Sequence, residues 1–316
     1  MDAGALLRSS LLALSRNTAV RDVIERAPVS RDVVRRFVPG EGPAEAVAAS
    51  AELVGSGRSV TIDFLGEDTL ERAQADATRE AYLVLLRELS AAGLTEGGRV
   101  EVSLKLSALG QALPQDGDRL CLDNARRICS AAEAAGTTVT LDMEDHTTTD
   151  ATLATLAELR QDFPWVGAVL QAYLRRTEAD CRDLATSGSR VRLCKGAYRE
   201  PESVAFQDTV DVDTSYVRCA RILLEGQGYP MLATHDPQII EVVQSVVDGA
   251  GRAPDSYEWQ MLYGIRPLEQ QRLADAGQQL RVYLPYGQEW YGYLMRRMAE
   301  RPANTMFFLR ALATKK

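Results

Sequence analysis

Short β-like runs alternate with longer amphipathic segments through most of this chain. Eight runs rich in β-branched and aromatic residues follow one another, each bounded by turn residues and each followed by a segment long enough for a helix. The runs are SVTIDFLG, RVEVSLKLSALG, TVTLDMED, WVGAVLQAYL, RVRLCKGAY, PMLATHD, YEWQMLYG and QLRVYLPYG. Eight strand-helix units in about 250 residues are typical of a TIM barrel. The sequence therefore predicts an α/β fold, a (β/α)8 barrel over residues 57–316.

The segment before the barrel, residues 1–56, is expected to form an N-terminal helical arm. Apolar residues recur there at helical spacing, and a Pro/Gly break interrupts them at FVPGEGPAEA. A doubly wound sheet is the alternative fold for the strand-helix units. No G-x-G-x-x-G follows any of the eight runs, which argues against dinucleotide binding of the Rossmann type.

Charge and cysteine content restrict the class of partner. A formal net charge of −8 and a pI near 5.1 provide no basic field, so we expect no nucleic-acid partner. The opening apolar stretch is interrupted by Arg and Ser and predicts neither a signal peptide nor a transmembrane helix. Five cysteines without a C-x-x-C are typical of reduced thiols. We therefore expect a cytoplasmic enzyme that acts on a small molecule.

Lysine is scarce in this chain. Of 36 basic residues only four are lysines, and two of those form the C-terminal tail. The other two, Lys105 and Lys195, lie inside apolar strand-like runs, where a charge needs a reason. Lysine offers a compact ammonium whose pKa can shift, so we interpret both positions as functional rather than as ordinary surface lysines.

Polar residues collect at the predicted carboxyl ends of the strands, where TIM barrels form their active sites. They are Asp63, Glu67, Lys105, Asp142, Gln171, Arg192, Lys195, Thr234, His235, Gln260 and Tyr283. So many polar groups would be expensive in a core. The sequence therefore predicts a site at this rim.

Two of these motifs also allow a purely structural interpretation. Arg192 and Lys195 in RLCKGAY either hold an electron-rich cofactor and its phosphates or form a solvated strand end, and the scarcity of lysine favours the cofactor. Thr234 and His235 precede a helix expected at Pro237, which suits a nucleotide phosphate or sugar. A lone histidine is as often structural, so the residues alone leave this second motif open.

The motif LDMEDH resembles the ligand set of a divalent metal, because it contains Asp142, Glu144, Asp145 and His146. The metal interpretation is weak, since His235 is the only other histidine and no paired-histidine spacing exists. We expect Asp145 or a nearby threonine to cap the next helix. Asp142, deepest in the strand, remains a site candidate.

The last predicted helix carries Tyr293, Arg296, Arg297 and Glu300 at spacings that allow one shared face. Two adjacent arginines beside an aromatic ring can bind a carboxylate in bidentate fashion, although an isolated pair is more often solvated. Because this helix follows the eighth strand, it can instead lie across the barrel mouth.

The motifs LKLSALG, LDMED, QAYL, RLCKGAY, ATHD, EWQMLYG, RVYLPYG and YGYLMRRMAERPAN, in this order, resemble those of the proline dehydrogenase family. The resemblance runs from about Ser59 to Asn304. It implies a distorted barrel that binds FAD noncovalently, with the last helix on top. It also implies oxidation of L-proline to Δ1-pyrroline-5-carboxylate by hydride transfer from C5 to flavin N5.

The resemblance implies roles for individual residues. The catalytic pair is Asp142 and Arg192, with Arg192 near flavin N5. Further cofactor contacts are assigned to Glu144, Gln171, Lys195, Gly196, Ala197, Thr234 and His235. Substrate contacts are assigned to Lys105, Arg296 and Arg297 for the carboxylate and to Tyr283 and Tyr293 for the ring.

The expected partners follow from the same resemblance. Electrons pass to a quinone, through peripheral contact with the inner face of the cell membrane, and a separate pyrroline-5-carboxylate dehydrogenase acts on the product.

Glu67 is expected to pair with Arg296 and close the mouth over ligand, the alternative being a helix cap. Two other functions stay open from the residues alone: an aldolase-like Schiff base at Lys105 or Lys195, and a binder without turnover.

Overall fold

The computed structural model describes residues 34–300, and the side chains of residues 34–295. In this part of the chain, eight parallel strands form one closed barrel in which β8 pairs with β1. The strands are β1 (Ser59–Phe64), β2 (Val100–Leu104), β3 (Val139–Leu141), β4 (Gly167–Gln171), β5 (Arg190–Cys194), β6 (Tyr229–Ala233), β7 (Glu258–Leu262) and β8 (Leu280–Tyr286). The predicted TIM barrel is confirmed, and the doubly wound alternative is wrong.

Helices separate the strands along the chain. They are α1 (Pro43–Gly55), α2 (Arg72–Ala91), α3 (Gly117–Ala134), α4 (Thr149–Asp162), α5 (Thr177–Leu184), α6 (Thr209–Glu225), α7 (Pro237–Gly249), α8 (Pro267–Asp275) and α9 (Trp290–Glu300). Two single-turn 3-10 helices, Glu96–Gly98 and Ser107–Leu109, flank β2. No helix between residues 34 and 300 is long and apolar enough to span a membrane.

Alternation along β2 shows how the strands sort their side chains. Val100, Val102 and Leu104 are fully buried in the apolar layer between strands and helices. Glu101 and Ser103, the residues between them, hydrogen-bond to side chains of other strands inside the barrel. The period of two thus gives the strand an apolar outer face and a polar inner face.

The outer helices pack on this apolar layer. In α2, Tyr82, Leu85 and Leu89 recur at spacings of three and four and are buried. The Tyr82 hydroxyl donates to the Ser103 carbonyl at 2.6 Å and accepts from the Phe64 backbone N–H at 3.1 Å. Because the buried Tyr82 hydroxyl both donates and accepts a hydrogen bond, it fixes α2 against β1 and β2.

Residues 34–56 are the described part of the predicted N-terminal arm, and helix α1 is its main element. It contacts β1, β8 and α2. Its residues Ala46, Ala49 and Leu53 belong to the main apolar core. Residues 1–33 lie outside the described residues, and the division of arm from barrel at residue 56 stays a prediction.

Helix α9 lies over the barrel mouth, as the sequence predicted. Leu294 and Met295 form an apolar cluster with Phe37, Leu65 and Ile265. Leu65 and Ile265 follow the carboxyl ends of β1 and β7, so the cluster sits at the top of the barrel. Tyr293 lines the cavity beneath the helix.

Candidate active site

A cavity of about 770 Å³ opens at the carboxyl ends of the strands. Its volume lies within the range of about 300–1,000 Å³ that is typical of ligand and cofactor sites. The predicted site residues on its wall are Asp63, Glu67, Lys105, Asp142, Gln171, Arg192, Lys195, Gly196, Ala197, Thr234, His235, Gln260, Tyr283 and Tyr293. The structure therefore brings the polar ends of different strands to one place.

Asp142 and Arg192 form a buried ion pair at the floor of the cavity. Arg192 Nη1 donates to Asp142 Oδ1 at 2.6 Å, and Arg192 Nε donates to Gln260 Oε1 at 2.6 Å. Ser103 Oγ donates to Asp142 Oδ1 at 2.7 Å, and Tyr283 Oη donates to Asp142 Oδ2 at 2.6 Å. Both carboxylate oxygens are engaged, so the Asp142 charge is held in one orientation.

The Tyr283 phenol is held in its protonated form. Burial, and the Asp142 carboxylate beside it, raise the pKa of Tyr283 well above its usual value. Its ring centre lies 5.2 Å from the Arg192 guanidinium carbon, a cation–π distance. Tyr283 thus acts as a donor to Asp142 and presents its ring to the cavity.

Lys105 and Asp63 form a second ion pair beside the first. Lys105 Nζ donates to Asp63 Oδ2 at 2.5 Å and lies 3.9 Å from Asp142 Oδ2. Burial opposes charge on Lys105, but these carboxylates raise its pKa above the usual value, so the ammonium stays charged. Burial raises the pKa of Asp63 to about 6 although Lys105 opposes the shift. Asp63 Oδ1 is buried and has no hydrogen-bond partner in the described part of the chain.

A second charged layer fills the barrel below these pairs. Arg190 Nη2 lies 2.7 Å from Glu101 Oε2, and Glu101 Oε1 lies 3.8 Å from both Arg192 Nη2 and Arg281 Nε. Arg281 Nε donates to Glu258 Oε1 at 2.8 Å. Burial opposes ionisation of Glu101, but the three guanidiniums hold its pKa well below the usual range. Glu101 thus gives Arg192 a second carboxylate besides Asp142, and Arg190 and Arg281 balance the charges of Glu101 and Glu258.

The other end of the cavity combines a cation with a helix N-terminus. Lys195 Nζ forms ion pairs with Asp213 and, at 3.1 Å, with Asp236, the N-cap residue of α7. His235 Nε2 accepts from the Leu262 backbone N–H at 2.8 Å. The neutral ring therefore carries its proton on Nδ1. The Asp236 side chain caps α7 by accepting from the Gln238 backbone N–H at 3.0 Å, so Lys195 is the group at this end that suits an anionic ligand group.

Gly196 and Gln171 line the wall between the two ends. Gly196 has φ of +113°, and a Cβ there would lie 2.3 Å from the Tyr173 ring, so only glycine fits without rearrangement. Gln171 Oε1 is buried and has no hydrogen-bond partner among the residues described.

Glu144 lies off the cavity wall. Its carboxylate accepts from the Ser107 backbone N–H at 3.0 Å and from Ser107 Oγ at 2.5 Å. Burial raises the pKa of Glu144 to about 7, although both bonds from Ser107 oppose the shift. Glu144 therefore holds the 3-10 turn that follows Lys105, and a direct cofactor contact stays a prediction.

The side chains of Arg296 and Arg297 lie outside the described residues, so the carboxylate clamp and the Glu67 gate also stay predictions.

The other members of the LDMEDH motif diverge. Asp145 accepts from the Thr147 backbone N–H at 2.9 Å in the turn before α4. His146 Nδ1 pairs with Glu200. No group of three potential metal ligands occurs among the residues that the structure describes.

Sequence reasoning assigned no role to Ser103 or Glu101 and placed Gln260 only at the rim. All three contact the predicted catalytic pair, Asp142 and Arg192. Ser103 Oγ also accepts from Arg192 Nη1 at 3.1 Å, so it bridges both members of that pair. The available signal was the polar period of two in β2, where Glu101, Ser103 and Lys105 alternate with Val and Leu.

The barrel and its charged cavity define the class: a TIM-barrel enzyme with a small-molecule site at the strand ends. The chain matches the family model described as proline dehydrogenase over residues 46–310. It belongs to the proline dehydrogenase family. The protein is accordingly an oxidoreductase of proline, and the aldolase-like and passive-binder alternatives are wrong.

Individual relatives agree with this assignment. The chain is 39% identical to the proline dehydrogenase of Deinococcus radiodurans over 303 residues, which cover 93% of this chain and 96% of the relative. It is 36% identical to proline dehydrogenase 1 of Bacillus subtilis over 310 residues, 98% of this chain and all of the relative. Its fold is similar to the structure of proline utilization A (PutA) from Bdellovibrio bacteriovorus inactivated by N-propargylglycine, with TM-score 0.79 and 26% identity over 86% of this chain and 33% of that one.

Proposed function

We propose that this enzyme oxidises L-proline to Δ1-pyrroline-5-carboxylate, with noncovalent FAD as cofactor and a quinone as the final electron acceptor. The supporting observation is that Lys105 and Arg192 line one cavity, each held by its own carboxylate. This arrangement offers cations for an anionic substrate and for an electron-rich cofactor without leaving a buried charge unpaired.

The cavity residues fit FAD. Gln171 Oε1 is buried and has no hydrogen-bond partner among the described residues, and a ligand rich in nitrogen and oxygen would provide one. Lys195, the cation at the other end of the cavity, suits its phosphates. We assign its binding to Gln171, Arg192, Lys195, Gly196, Ala197, Thr234 and His235. When bound, FAD supplies the hydride acceptor at N5.

The substrate carboxylate is assigned to Lys105, Arg296 and Arg297. The Lys105 ammonium is a point charge already oriented by Asp63, and the two arginines offer planar bidentate donors. Tyr283 and Tyr293 form the walls around the pyrrolidine ring. A carboxylate fixed at one end and a ring confined at the other leave C5 in a single orientation, which lowers the entropy cost of reaction.

Asp142 and Glu67 are given supporting roles. Asp142 hydrogen-bonds to Arg192, Ser103 and Tyr283, so the Arg192 guanidinium that faces the cofactor is held in one orientation. Glu67 lines the cavity past the end of β1 and would pair with Arg296 when the mouth is closed. We further propose that reoxidation occurs at a membrane surface, where the quinone is dissolved, and that a separate dehydrogenase oxidises the product.

An absorbance spectrum before and after anaerobic proline tests this function. We expect flavin absorbance in the purified protein, FAD in the supernatant after acid release, and bleaching by L-proline. D-proline is the matched ligand control and should bleach far more slowly, because its carboxylate or its C5 must be misplaced. The variant K105M should keep its FAD and require much more proline. Protein without FAD, or yellow protein that L-proline leaves unbleached, would refute the proposal.

A further inference from the structure

Oxidation at C5 of proline, which rests on the function proposed above, needs a neutral amine. Only an unprotonated nitrogen has the lone pair that stabilises the iminium left when hydride departs from C5. Free proline at neutral pH carries a protonated amine, so one proton must leave the substrate within the site. The group that accepts this proton is not assigned by the roles given above.

The described residues around the cavity floor narrow the choice of proton acceptor. Both oxygens of Asp142 already accept hydrogen bonds from Ser103, Arg192 and Tyr283. Tyr283 is held protonated, and Lys105 is held charged. Asp63 differs from all of these, because it is ionisable, lines the cavity and keeps one oxygen unpartnered.

We infer that Asp63 accepts the proton of the substrate amine. The N–H bond of the proline ammonium breaks, an O–H bond forms at Asp63 Oδ1, and the electron pair stays on nitrogen. Hydride then leaves C5 and the ring becomes the iminium. The proton remains on Asp63 until product leaves, after which it returns to solvent.

The position of Asp63 supports this role. Its Oδ2 is fixed by Lys105 at 2.5 Å, and Lys105 is the proposed ligand of the substrate carboxylate. The Lys105 ammonium therefore contacts both Asp63 and, as proposed, the substrate carboxylate. In proline the amine and the carboxylate are bonded to the same carbon, so the amine would lie near Asp63. Asp63 is 1% exposed, so its free oxygen is buried rather than solvated.

The charge state of Asp63 also suits proton transfer. Burial raises its pKa to about 6, which leaves it ionised at neutral pH but more basic than an exposed aspartate. The titratable groups that face it are Lys105, Asp142, Tyr82, Tyr283 and Tyr286. The pKa of each tyrosine is raised, so none of them competes as a base at neutral pH.

The alternative is that Asp63 only positions Lys105. Two probes separate the roles. L-Thiazolidine-4-carboxylate has a ring sulfur that makes its amine far less basic, so it needs no acceptor at neutral pH. Tetrahydro-2-furoate keeps the carboxylate but has a ring oxygen and no proton to donate. If Asp63 only positions Lys105, its substitution should impair both the oxidation of thiazolidine-4-carboxylate and the binding of tetrahydro-2-furoate. If Asp63 is the proton acceptor, its substitution should change neither strongly.

The experiment compares wild type with D63N, and with D145N as a control for an exposed carboxylate at the same rim. For D63N we expect kcat/KM for proline at neutral pH to fall by about 100-fold or more, with less than about a tenfold loss for thiazolidine-4-carboxylate. The dissociation constant of tetrahydro-2-furoate, read from the flavin spectrum, should change by less than about threefold. D145N should match wild type in all three.

The pH profile gives a test that needs no variant. With an internal acceptor, wild-type kcat/KM for proline is level across neutral pH, whereas in D63N it rises about tenfold per pH unit towards the pKa of the amine. A wild-type profile that already rises in this way, or equal losses of both substrates in D63N, would overturn the inference. Wild-type protein that proline fails to reduce at all would instead refute the proposed function.

Discussion

Glu144 offers a pH-dependent prediction whose sign follows from burial. Its pKa is raised from 4.5 in the unfolded chain to about 7 in the fold, chiefly by burial. The folded state therefore binds more protons than the unfolded chain between these values. The favourable contribution is fully present below about pH 4.5 and is lost as the pH rises through about 7.

The substitution E144Q removes this titration while keeping the side-chain shape. At 1.36 kcal/mol per pKa unit, the difference between 4.5 and about 7 corresponds to about 3 kcal/mol. We therefore expect E144Q to be more stable than wild type by less than about 1 kcal/mol near pH 5, and by up to about 3 kcal/mol near pH 8. The bond from the Ser107 backbone N–H survives, because the amide oxygen also accepts.

Urea unfolding at both pH values measures the difference directly. The control E158Q changes an exposed carboxylate of α4 and should show no pH-dependent difference from wild type. If E144Q is instead less stable than wild type near pH 8, the two bonds from Ser107 outweigh burial and the Glu144 carboxylate is ionised in the fold. That result would refute the reasoning.

Three further predictions concern substrate handling. R297M should raise KM for proline by orders of magnitude with FAD content unchanged, because a charge partner of the carboxylate is lost; an unchanged KM contradicts the clamp. Y283S should gain activity on hydroxyproline relative to proline, since the ring that crowds C4 is removed; loss on both substrates without relative gain argues against this role. E67A should lower kcat/KM with little change in melting temperature if Glu67 closes the mouth, whereas a helix cap would cost about 1 kcal/mol of stability and little activity.

The sequence predicted the barrel well because its signals are local. Each strand is a short apolar run with turn residues at its ends, and eight of them in order leave few topologies. The rim residues were equally accessible, since the carboxyl end of each run is visible in the sequence. Which rim side chains touch, as Lys105 does Asp63, depends on strand register and barrel closure. No local pattern in a single sequence indicates these contacts between side chains of different strands.

Glu144 shows what the spacing within a motif does not determine. It lies two residues after Asp142, so the motif suggested that both contribute to the same site. Just past β3, however, Glu144 turns to Ser107, whereas Asp142 points into the barrel. The converse holds for Ser103 and Glu101, which look ordinary in the sequence but hold Arg192 through contacts across the barrel.

The place of α1 bears on how the chain folds. Because α9 lies over the mouth, the outer wall beside β8 is covered by α1, a segment near the other end of the chain. Ala46, Ala49 and Leu53 emerge early in synthesis, yet part of their apolar contact forms only when β8 is made and pairs with β1. Contacts of such sequence separation slow folding, because a long loop must close before they form. The part of the apolar face of α1 that packs on β8 is therefore covered only after β8 is made, although β1 and α2 cover the rest earlier, and this exposed part is a site for misassociation during folding.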